Sequence, residues 1–360
     1  MNRKKFLTSL SAVSAGASVF PYSIFVKSQT LKRRNNVNYF ADEPAVIKPA
    51  RLKSGDKLAV VSPGSYISEN ELQDSVKNLN QLGFETTYSG KVLLQSGYLA
   101  GSDRERADDL MEKFSDKSIK GIVCSRGGYG CARILPFLDY DVIRSNPKVL
   151  IGYSDVTALL YGIFKKSNLI TFHGPVGISS YNDYSVNNFN KVLLNPANNT
   201  VLYNSGSGED ENIYGVTSIV EGKARGRMIG GNLSIMISLI GTEFDVDYSG
   251  KIVFIEEVEE EPYRVDRMLT QLIQTGKFNN AASIMLGIFK KCVAKENSDL
   301  TAKSFTLMEV LSDRLGTLKI PVIYGMSFGH VKDKLTIPFG VYAEIDTYSQ
   351  TLTLLESAVE

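Results

Sequence analysis

The sequence predicts an α/β protein whose N-terminal half holds a largely parallel sheet. Short apolar runs recur along this half, and glycine, proline or serine follows several of them, as is typical after buried strands. Segments with helix-start signals lie between these runs, in strand–helix–strand order. Because parallel strands need a crossover connection, this alternation indicates helices packed on a parallel sheet. The 360 residues suffice for two domains.

Capping signals and apolar runs define the elements of the first half. Ser68 with Glu71 and Ser102 with Glu105 form two capping boxes, which predict helices that begin there. The first of these helices is expected to end at Gly83. A further helix is predicted at 155–165, and strands are predicted at 58–61, 84–88, 121–124, 149–152 and 170–172.

The pattern changes at residues 180–215, where Asn, Ser, Tyr and Gly dominate. We interpret this segment as an interdomain linker between an N-terminal α/β domain (51–179) and a C-terminal domain (216–360). The second half alternates again. Its predicted strands lie near 217–221, 251–256, 282–288, 320–324 and within 335–355, and its predicted helices near 231–240, 262–275 and 303–314.

Residues 1–28 have the pattern of an export signal. Arg3, Lys4 and Lys5 form a basic start, and a mildly apolar stretch rich in Ala, Ser and Gly follows. The opening resembles a twin-arginine signal with Arg-Lys in place of Arg-Arg. We therefore expect a periplasmic protein; a cytoplasmic tail and a membrane anchor are the alternatives. The polar residues 29–50 are typical of a linker.

Composition excludes several classes of function. Forty Lys and Arg balance 39 Asp and Glu, so the net charge of +1 gives no sign of a nucleic-acid partner. With two histidines, His173 and His330, a multi-histidine metal centre is not expected. Cys124, Cys131 and Cys292 have no C-x-x-C spacing and are expected to be free thiols. An imidazole base, if used, is one of two residues.

Gly152-Tyr153-Ser154-Asp155 stands between a predicted strand and a predicted helix. A sharp turn at such a place exposes a serine hydroxyl and presents the following N–H groups to an oxyanion. The usual pattern is G-x-S-x-G, and Val156 occupies its fifth position. Taken alone, the spacing favours the simpler interpretation that Ser154 caps the helix.

Three further groups could carry chemistry. The glycines of 125–130 either present N–H donors to an anion or form a flexible turn. Glu256 begins an acidic run at a strand end; its position suits a carboxylate that orients an imidazole, while the run as a whole suits a solvated loop. Each histidine, taken alone, is more often structural than catalytic.

Together these segments resemble the LD-carboxypeptidase family of serine peptidases, also called murein tetrapeptide carboxypeptidases. The similarity runs from about Gly55 to Glu344, and its specificity lies in the order and spacing of the motifs. The motifs include Gly55-Asp56-Lys57, Gly101-Ser102-Asp103, Arg126-Gly127-Gly128-Tyr129-Gly130, Gly152-Tyr153-Ser154-Asp155, His173-Gly174-Pro175, Gly230-Gly231-Asn232-Leu233, Phe254-Ile255-Glu256-Glu257 and Gly329-His330.

The resemblance implies a triad of Ser154 as nucleophile, Glu256 as carboxylate and His330 as general base, with no metal and no cofactor. It implies an N-terminal α/β domain joined to a C-terminal domain with barrel-like β structure and helices, and a homodimer, which is usual in the family. We expect the backbone N–H groups of Asp155 and Gly128 to bind the oxyanion. The expected substrate-binding residues are Arg126, Gly127, Asn232 and His173.

The function expected from this resemblance is release of the terminal D-Ala from peptidoglycan tetrapeptides by hydrolysis of an L-to-D peptide bond, in murein recycling or remodelling. A muropeptide is then the partner. The resemblance also admits a microcin-immunity type of hydrolase, which acts on peptidyl-nucleotides. A non-catalytic muropeptide-binding protein is the third alternative.

Overall fold

The computed structural model describes residues 45–205, 215–295 and 303–360, and these residues are organised around two sheets. The predicted export signal at 1–28 and most of the predicted linker at 29–50 lie outside the described residues. None of the helices in the described ranges is long and apolar enough to cross a membrane.

The described residues form fourteen strands and nine α-helices. The strands are β1 (Lys57–Val61), β2 (Glu85–Thr87), β3 (Ile119–Cys124), β4 (Val149–Gly152), β5 (Thr171–His173), β6 (Thr200–Tyr203), β7 (Thr217–Val220), β8 (Lys223–Asn232), β9 (Lys251–Val258), β10 (Ser283–Lys290), β11 (Val322–Tyr324), β12 (Ile337–Phe339), β13 (Tyr342–Asp346) and β14 (Thr351–Leu354). The helices are α1 (Glu69–Gln81), α2 (Asp103–Ser115), α3 (Cys131–Ile134), α4 (Tyr140–Ser145), α5 (Thr157–Ser167), α6 (Asp183–Leu193), α7 (Leu233–Leu239), α8 (Pro262–Gln274) and α9 (Leu307–Leu315).

The first sheet has six strands in the order β12-β5-β4-β3-β1-β2. Strands β1 to β5 are parallel, and β12 is antiparallel to β5. The order 2-1-3-4-5 is that of a doubly wound sheet, in which ligands bind beyond the carboxyl ends of the strands. The turns that follow β1, β3 and β4 therefore share one edge of the sheet, and Ser154 lies in the last of them.

The second sheet has eight strands in the order β6-β14-β13-β8-β9-β10-β11-β7. Its central strands, β8 to β11, are parallel, and antiparallel strands flank them on both sides. Glu256 lies on β9, directly opposite Asn232 at the end of β8. The chain from β12 to β13 supplies one strand to each sheet, so the segment that follows His330 is bonded to both.

The predicted fold class is confirmed. Both capping boxes, Ser68 with Glu71 and Ser102 with Glu105, make their reciprocal hydrogen bonds at the starts of α1 and α2. The predicted strands of the first half correspond to β1 to β5, and the side chains that β1 and β4 contribute are almost entirely buried. Burial on both faces is expected of a parallel sheet covered by helices.

The described part of the predicted linker, residues 180–205 and 215, contains a helix and a strand, so the interpretation of these residues as a linker is corrected. Asn182 caps α6 through a hydrogen bond from the N–H of Ser185, and β6 pairs with β14 at the edge of the second sheet. One face of α6, including Phe189 and Leu193, is buried. The segment 180–215 as a whole is rich in Asn, Ser, Tyr and Gly, and this composition concealed the apolar period of the helix. The remaining domain limits, 51–179 and 216–360, stay a prediction.

The close pairing of β8 with β9 leads to a prediction about stability. Gly230 of β8 has φ 146°, and a Cβ there would lie 1.8 Å from the carbonyl oxygen of Phe254 on β9. We expect Gly230→Ala to lower the free energy of unfolding by at least about 3 kcal/mol. The new methyl group would collide with the backbone of β9, which cannot rotate away as the end of a flexible side chain could. Urea unfolding followed by circular dichroism measures the change.

Gly90→Ala is the matched control, because a Cβ at Gly90 meets nothing within 4 Å. It should change the free energy of unfolding by less than about 0.5 kcal/mol. Equal midpoints for the two variants would contradict this account of the β8–β9 contact.

Candidate active site

Ser154 lies in a sharp turn directly after β4. Its φ of 64° falls in the left-handed region, which costs a residue with a side chain about 1–2 kcal/mol. Gly152 permits the turn, because a Cβ there would lie 2.8 Å from a methyl group of Val156. Helix α5 begins at Thr157 with Val156 as its N-cap, so the interpretation of Ser154 as the helix cap is wrong. The turn is instead a strained strand-to-helix turn of the kind that presents a nucleophile.

The Gly-rich turn after β3 lies against Ser154. A Cβ on Gly127 would lie 2.7 Å from Cβ and 2.9 Å from Oγ of Ser154, so a glycine is needed there. Gly128 has φ 90°, and a Cβ there would overlap Ser65. Among the described residues, the backbone N–H groups of Gly128 and Asp155 donate no hydrogen bond. Both groups are therefore available to an anion beside Ser154.

The side chain of Asp155 ties the two turns together. Its buried carboxylate accepts a hydrogen bond of 2.7 Å from the backbone N–H of Cys131, which begins α3 directly after the Gly-rich turn. Burial raises the pKa of Asp155 above its ordinary value, although the bond from Cys131 opposes the rise. The bond fixes the distance between the nucleophile turn and the N–H donors.

The buried Glu256 and the partly exposed His330 form a hydrogen-bonded pair. Nδ1 of His330 lies 2.8 Å from Oε2 of Glu256, whose side chain is fully buried. Burial by itself would raise the pKa of Glu256, but the charge and hydrogen bond of His330 outweigh it and hold the pKa below the ordinary value. Gly329 allows the approach, since a Cβ there would lie 2.8 Å from Oε2 of Glu256. The pair is thus an ionised carboxylate that orients an imidazole.

Tyr153 connects this pair to the nucleophile turn. Its ring packs edge-on against the ring of His330, with centroids 4.9 Å apart and planes at 73°. Tyr153 directly precedes Ser154, so this contact brings the imidazole and the hydroxyl segments together. In the part of the chain that the structure describes, the His330 ring bonds to Glu256 and not to Ser154. Such catalytic hydrogen bonds often form fully only when substrate is bound.

Glu257 has a different role from its neighbour Glu256. Its carboxylate accepts hydrogen bonds from the amide of Asn232 (3.0 Å), from the N–H and hydroxyl of Ser234, and from the N–H of Val258. Burial, together with the charge of Glu256, raises the pKa of Glu257. Glu257 therefore anchors the start of α7, and within the described residues it makes no hydrogen bond to an imidazole.

The predicted substrate-binding residues have different surroundings. Arg126 is partly exposed on the Gly-rich turn, with Nη1 3.4 Å from a carboxylate oxygen of Glu71. Asn232 is buried, and its amide serves Glu257 and the cap of α7, so its contact with a substrate stays a prediction. His173 is 1% exposed and cannot touch a substrate in this structure. The prediction that His173 binds the substrate directly is therefore wrong for this structure.

The described residues hold no cluster of three or more His, Cys, Asp or Glu side chains that could bind a metal ion. Cys124, Cys131 and Cys292 are buried free thiols, as predicted. Burial raises the pKa of each thiol, so none of them is a reactive thiolate at neutral pH.

Sequence reasoning missed an exposed tyrosine pair on loops near the Ser154 turn. Tyr98 and Tyr129 are 61% and 52% exposed, and their rings pack edge to face with centroids 5.6 Å apart. Both loops form hydrogen bonds with the turn after β1. The N–H of Ala100 donates to the carbonyl of Gly64, and the N–H of Tyr129 donates to the hydroxyl of Ser65. Tyr98 follows β2 and Tyr129 follows β3, and this position beyond the carboxyl ends of parallel strands is the signal that could have indicated them.

Comparison with known proteins agrees with this geometry. The sequence profile of the LD-carboxypeptidase N-terminal domain matches residues 58–174, and that of the C-terminal domain matches residues 225–345. The chain belongs to the LD-carboxypeptidase family. It is 35% identical to the "Probable murein peptide carboxypeptidase" of Bacillus subtilis over 312 residues, which cover 85% of this chain and 94% of that protein. The chain is therefore a serine-type peptidase with a carboxypeptidase role.

Two solved structures of the family share its fold. The microcin C7 self-immunity protein MccF in complex with aspartyl sulfamoyl adenosine has a TM-score of 0.78 at 30% identity and covers 87% of this chain and 100% of that one. A muramoyltetrapeptide carboxypeptidase from Oxalobacter formigenes has a TM-score of 0.70 at 27% identity, with 82% and 97% covered. The fold is thus shared by proteins named for two different substrates.

The contact of the Gly-rich turn with Ser154 generates a testable prediction. Gly127→Ala should lower kcat/KM by about 10²-fold or more, because the new methyl group displaces the Ser154 side chain or the turn. The activity of purified protein against a muropeptide measures the loss, and circular dichroism checks the fold. Gly90→Ala is again the control, and it should keep the activity of the parent. Full activity of Gly127→Ala would contradict the packing described for the turn.

Proposed function

We propose that this protein is a serine LD-carboxypeptidase that releases terminal D-Ala from peptidoglycan tetrapeptides. The observation that carries the proposal is the hydrogen bond of His330 to the buried Glu256, next to the turn that holds Ser154 at φ 64°, in a chain of the LD-carboxypeptidase family. The site contains a candidate nucleophile, a base and an orienting carboxylate, and the reaction needs nothing further than water.

The chemistry follows from these three groups. His330 accepts the proton of Ser154 as its oxygen attacks the scissile carbonyl, and Glu256 stabilises the imidazolium. The imidazolium then gives its proton to the amine of D-Ala, which leaves, and an acyl-enzyme remains. Water, deprotonated by His330, attacks the ester and regenerates Ser154.

The oxyanion formed in each step needs donors. The N–H groups of Asp155 and Gly128 are the proposed pair, and each donor is worth about 3–4 kcal/mol of the barrier. Arg126 is the proposed partner of the substrate's terminal carboxylate, since it is an accessible cation on the same turn as Gly128. A carboxypeptidase requires such a cation because its substrate ends in a charge.

A second candidate function is hydrolysis of a peptidyl-nucleotide. The observation that favours it is the exposed Tyr98–Tyr129 pair, which offers aromatic faces to a nucleobase although the chain has no Trp. The similarity to MccF in complex with aspartyl sulfamoyl adenosine agrees with this alternative. Parallel assays with a tetrapeptide muropeptide and an aspartyl sulfamoyl adenosine analogue separate the two functions by their kcat/KM values. Export to the periplasm and assembly as a homodimer belong to the proposal and await their own tests.

The nucleophile assignment gives the next prediction. Ser154→Ala should reduce release of D-Ala by at least about 10⁴-fold, because no other group in the site can form the acyl-enzyme. Mass spectrometry of a tetrapeptide muropeptide detects the release as the loss of one Ala residue.

Ser115→Ala is the matched control, since Ser115 is exposed at the end of α2 and bonds within its own helix. It should release D-Ala at the rate of the parent. Undiminished release by a folded Ser154→Ala protein would remove Ser154 from the mechanism.

Independence from metal ions is a separate prediction. The proposed mechanism uses side chains and backbone N–H groups, so activity should survive dialysis against EDTA. Release of D-Ala is measured before and after chelation, and again after addition of Zn²⁺. Loss of activity that Zn²⁺ restores would count against the serine mechanism.

A further inference from the structure

A second histidine lies buried beside the Glu256–His330 pair. His173 ends β5, and its ring is enclosed by aromatic rings on several sides. Each of these rings belongs to one of the segments that carry Ser154, Glu256 and His330. The rings and their centroid distances from His173 are Tyr153 at 6.0 Å, Phe254 at 5.5 Å and Phe328 at 5.9 Å.

The polar atoms of this histidine are not used by the packing. Neither ring nitrogen of His173 has a hydrogen-bond partner among the described residues, and buried Oε1 of Glu256 has none either. A buried polar atom without a partner is destabilising, so such atoms are rare in native proteins. A phenylalanine would pack against these aromatic neighbours equally well. A histidine at this position therefore indicates that a ring nitrogen forms a hydrogen bond.

We propose that His173 is a positioning residue for the catalytic pair, in which its ring N–H donates a hydrogen bond, through one buried water, to Oε1 of Glu256. The proposal places a water between them because the two groups make no direct hydrogen bond and both are buried, and a buried water bonds to polar atoms that otherwise lack partners. His330 holds Oε2, so the carboxylate would be fixed at both oxygens. This role rests on the proposed function of Glu256 and His330.

The imidazole of His173 is suited to such a role because it stays neutral. Burial lowers the pKa of His173 to about 4, against the opposing charge of Glu256. A neutral imidazole has one N–H donor and one acceptor, so it can donate without adding charge to the site. The titratable and charged groups around His173 and the catalytic pair are Glu256, Glu257, Glu259, Cys292, His330, Lys334 and Tyr153. All of them remain in the variants of His173.

The hydrogen bond has a measurable consequence for the pH profile. A donor to the ionised carboxylate lowers the proton affinity of the Glu256–His330 pair. Removal of that donor raises the affinity, so the pair becomes protonated at higher pH. The acidic limb of kcat/KM, which reports the free enzyme, should therefore move upward.

Three variants separate this role from packing. His173→Phe keeps a ring and removes the donor. His173→Gln places an amide N–H near the position of Nε2, and His173→Asn places one near the position of Nδ1. We expect His173→Phe to move the acidic limb upward by roughly half to one pH unit and to lower kcat several-fold with little change in KM. One of the amide variants should restore the limb of the parent. An identical limb in the parent and in folded His173→Phe overturns the proposal.

A second measurement needs no substrate, so it remains decisive if the proposed substrate is wrong. The chain has two histidines, and His330→Ala therefore assigns the imidazole signals of protein labelled with ¹⁵N in its histidines. His173 should be neutral from about pH 5 to pH 8, with one N–H proton that Glu256→Gln shifts. If the His173 ring titrates in that range, or if its N–H signal does not shift in Glu256→Gln, the proposal is overturned, even if the His173 variants have lost activity.

Discussion

The hydrogen bond between Glu256 and His330 is the constraint on which the site depends. A carboxylate with no exposed surface is costly to ionise, and His330 is the partner that keeps it ionised. Because the pKa of Glu256 is held below its ordinary value, the pair stabilises the fold at pH values above about 4.3, and this contribution is lost as the pH falls through the folded pKa. Stability and the proposed base function thus come from one contact, and a change of either partner acts on both.

Two sheets are needed to bring that contact next to the proposed nucleophile, Ser154. Strand β9 of the second sheet carries Glu256, and β4 of the first carries the turn with Ser154. The loop with His330 reaches both, because β12 after it pairs with β5 and β13 then pairs with β8. Main-chain hydrogen bonds of the segment after His330 therefore hold its loop to both sheets, which limits the freedom of the imidazole.

The sequence predicted the parts of this arrangement that local signals carry. Capping boxes at Ser68 and Ser102 and apolar runs such as 58–61 located the first sheet, and motif order indicated the three candidate residues of the site. Strand β8 was missed because alternate residues in its first half are cations. In the fold, Arg225 forms an ion pair with Glu344 on the neighbouring strand β13, and Arg227 forms one with Glu356, which follows β14. Burial was the other limit: His173 follows a strand like many site residues, and only the tertiary packing of rings around it excludes direct contact with substrate.

The strain at Ser154 has a structural source that explains how it persists. A residue at φ 64° would relax if its surroundings allowed, but Gly127 lies against its side chain, Asp155 is bonded to the start of α3, and Tyr153 is packed on His330. Each of these contacts belongs to a different element, so relaxation at the serine would break packing in several places at once. The same contacts fix the hydroxyl relative to the free N–H groups and the imidazole. Preorganisation of the proposed nucleophile and retention of its strain therefore have the same physical cause.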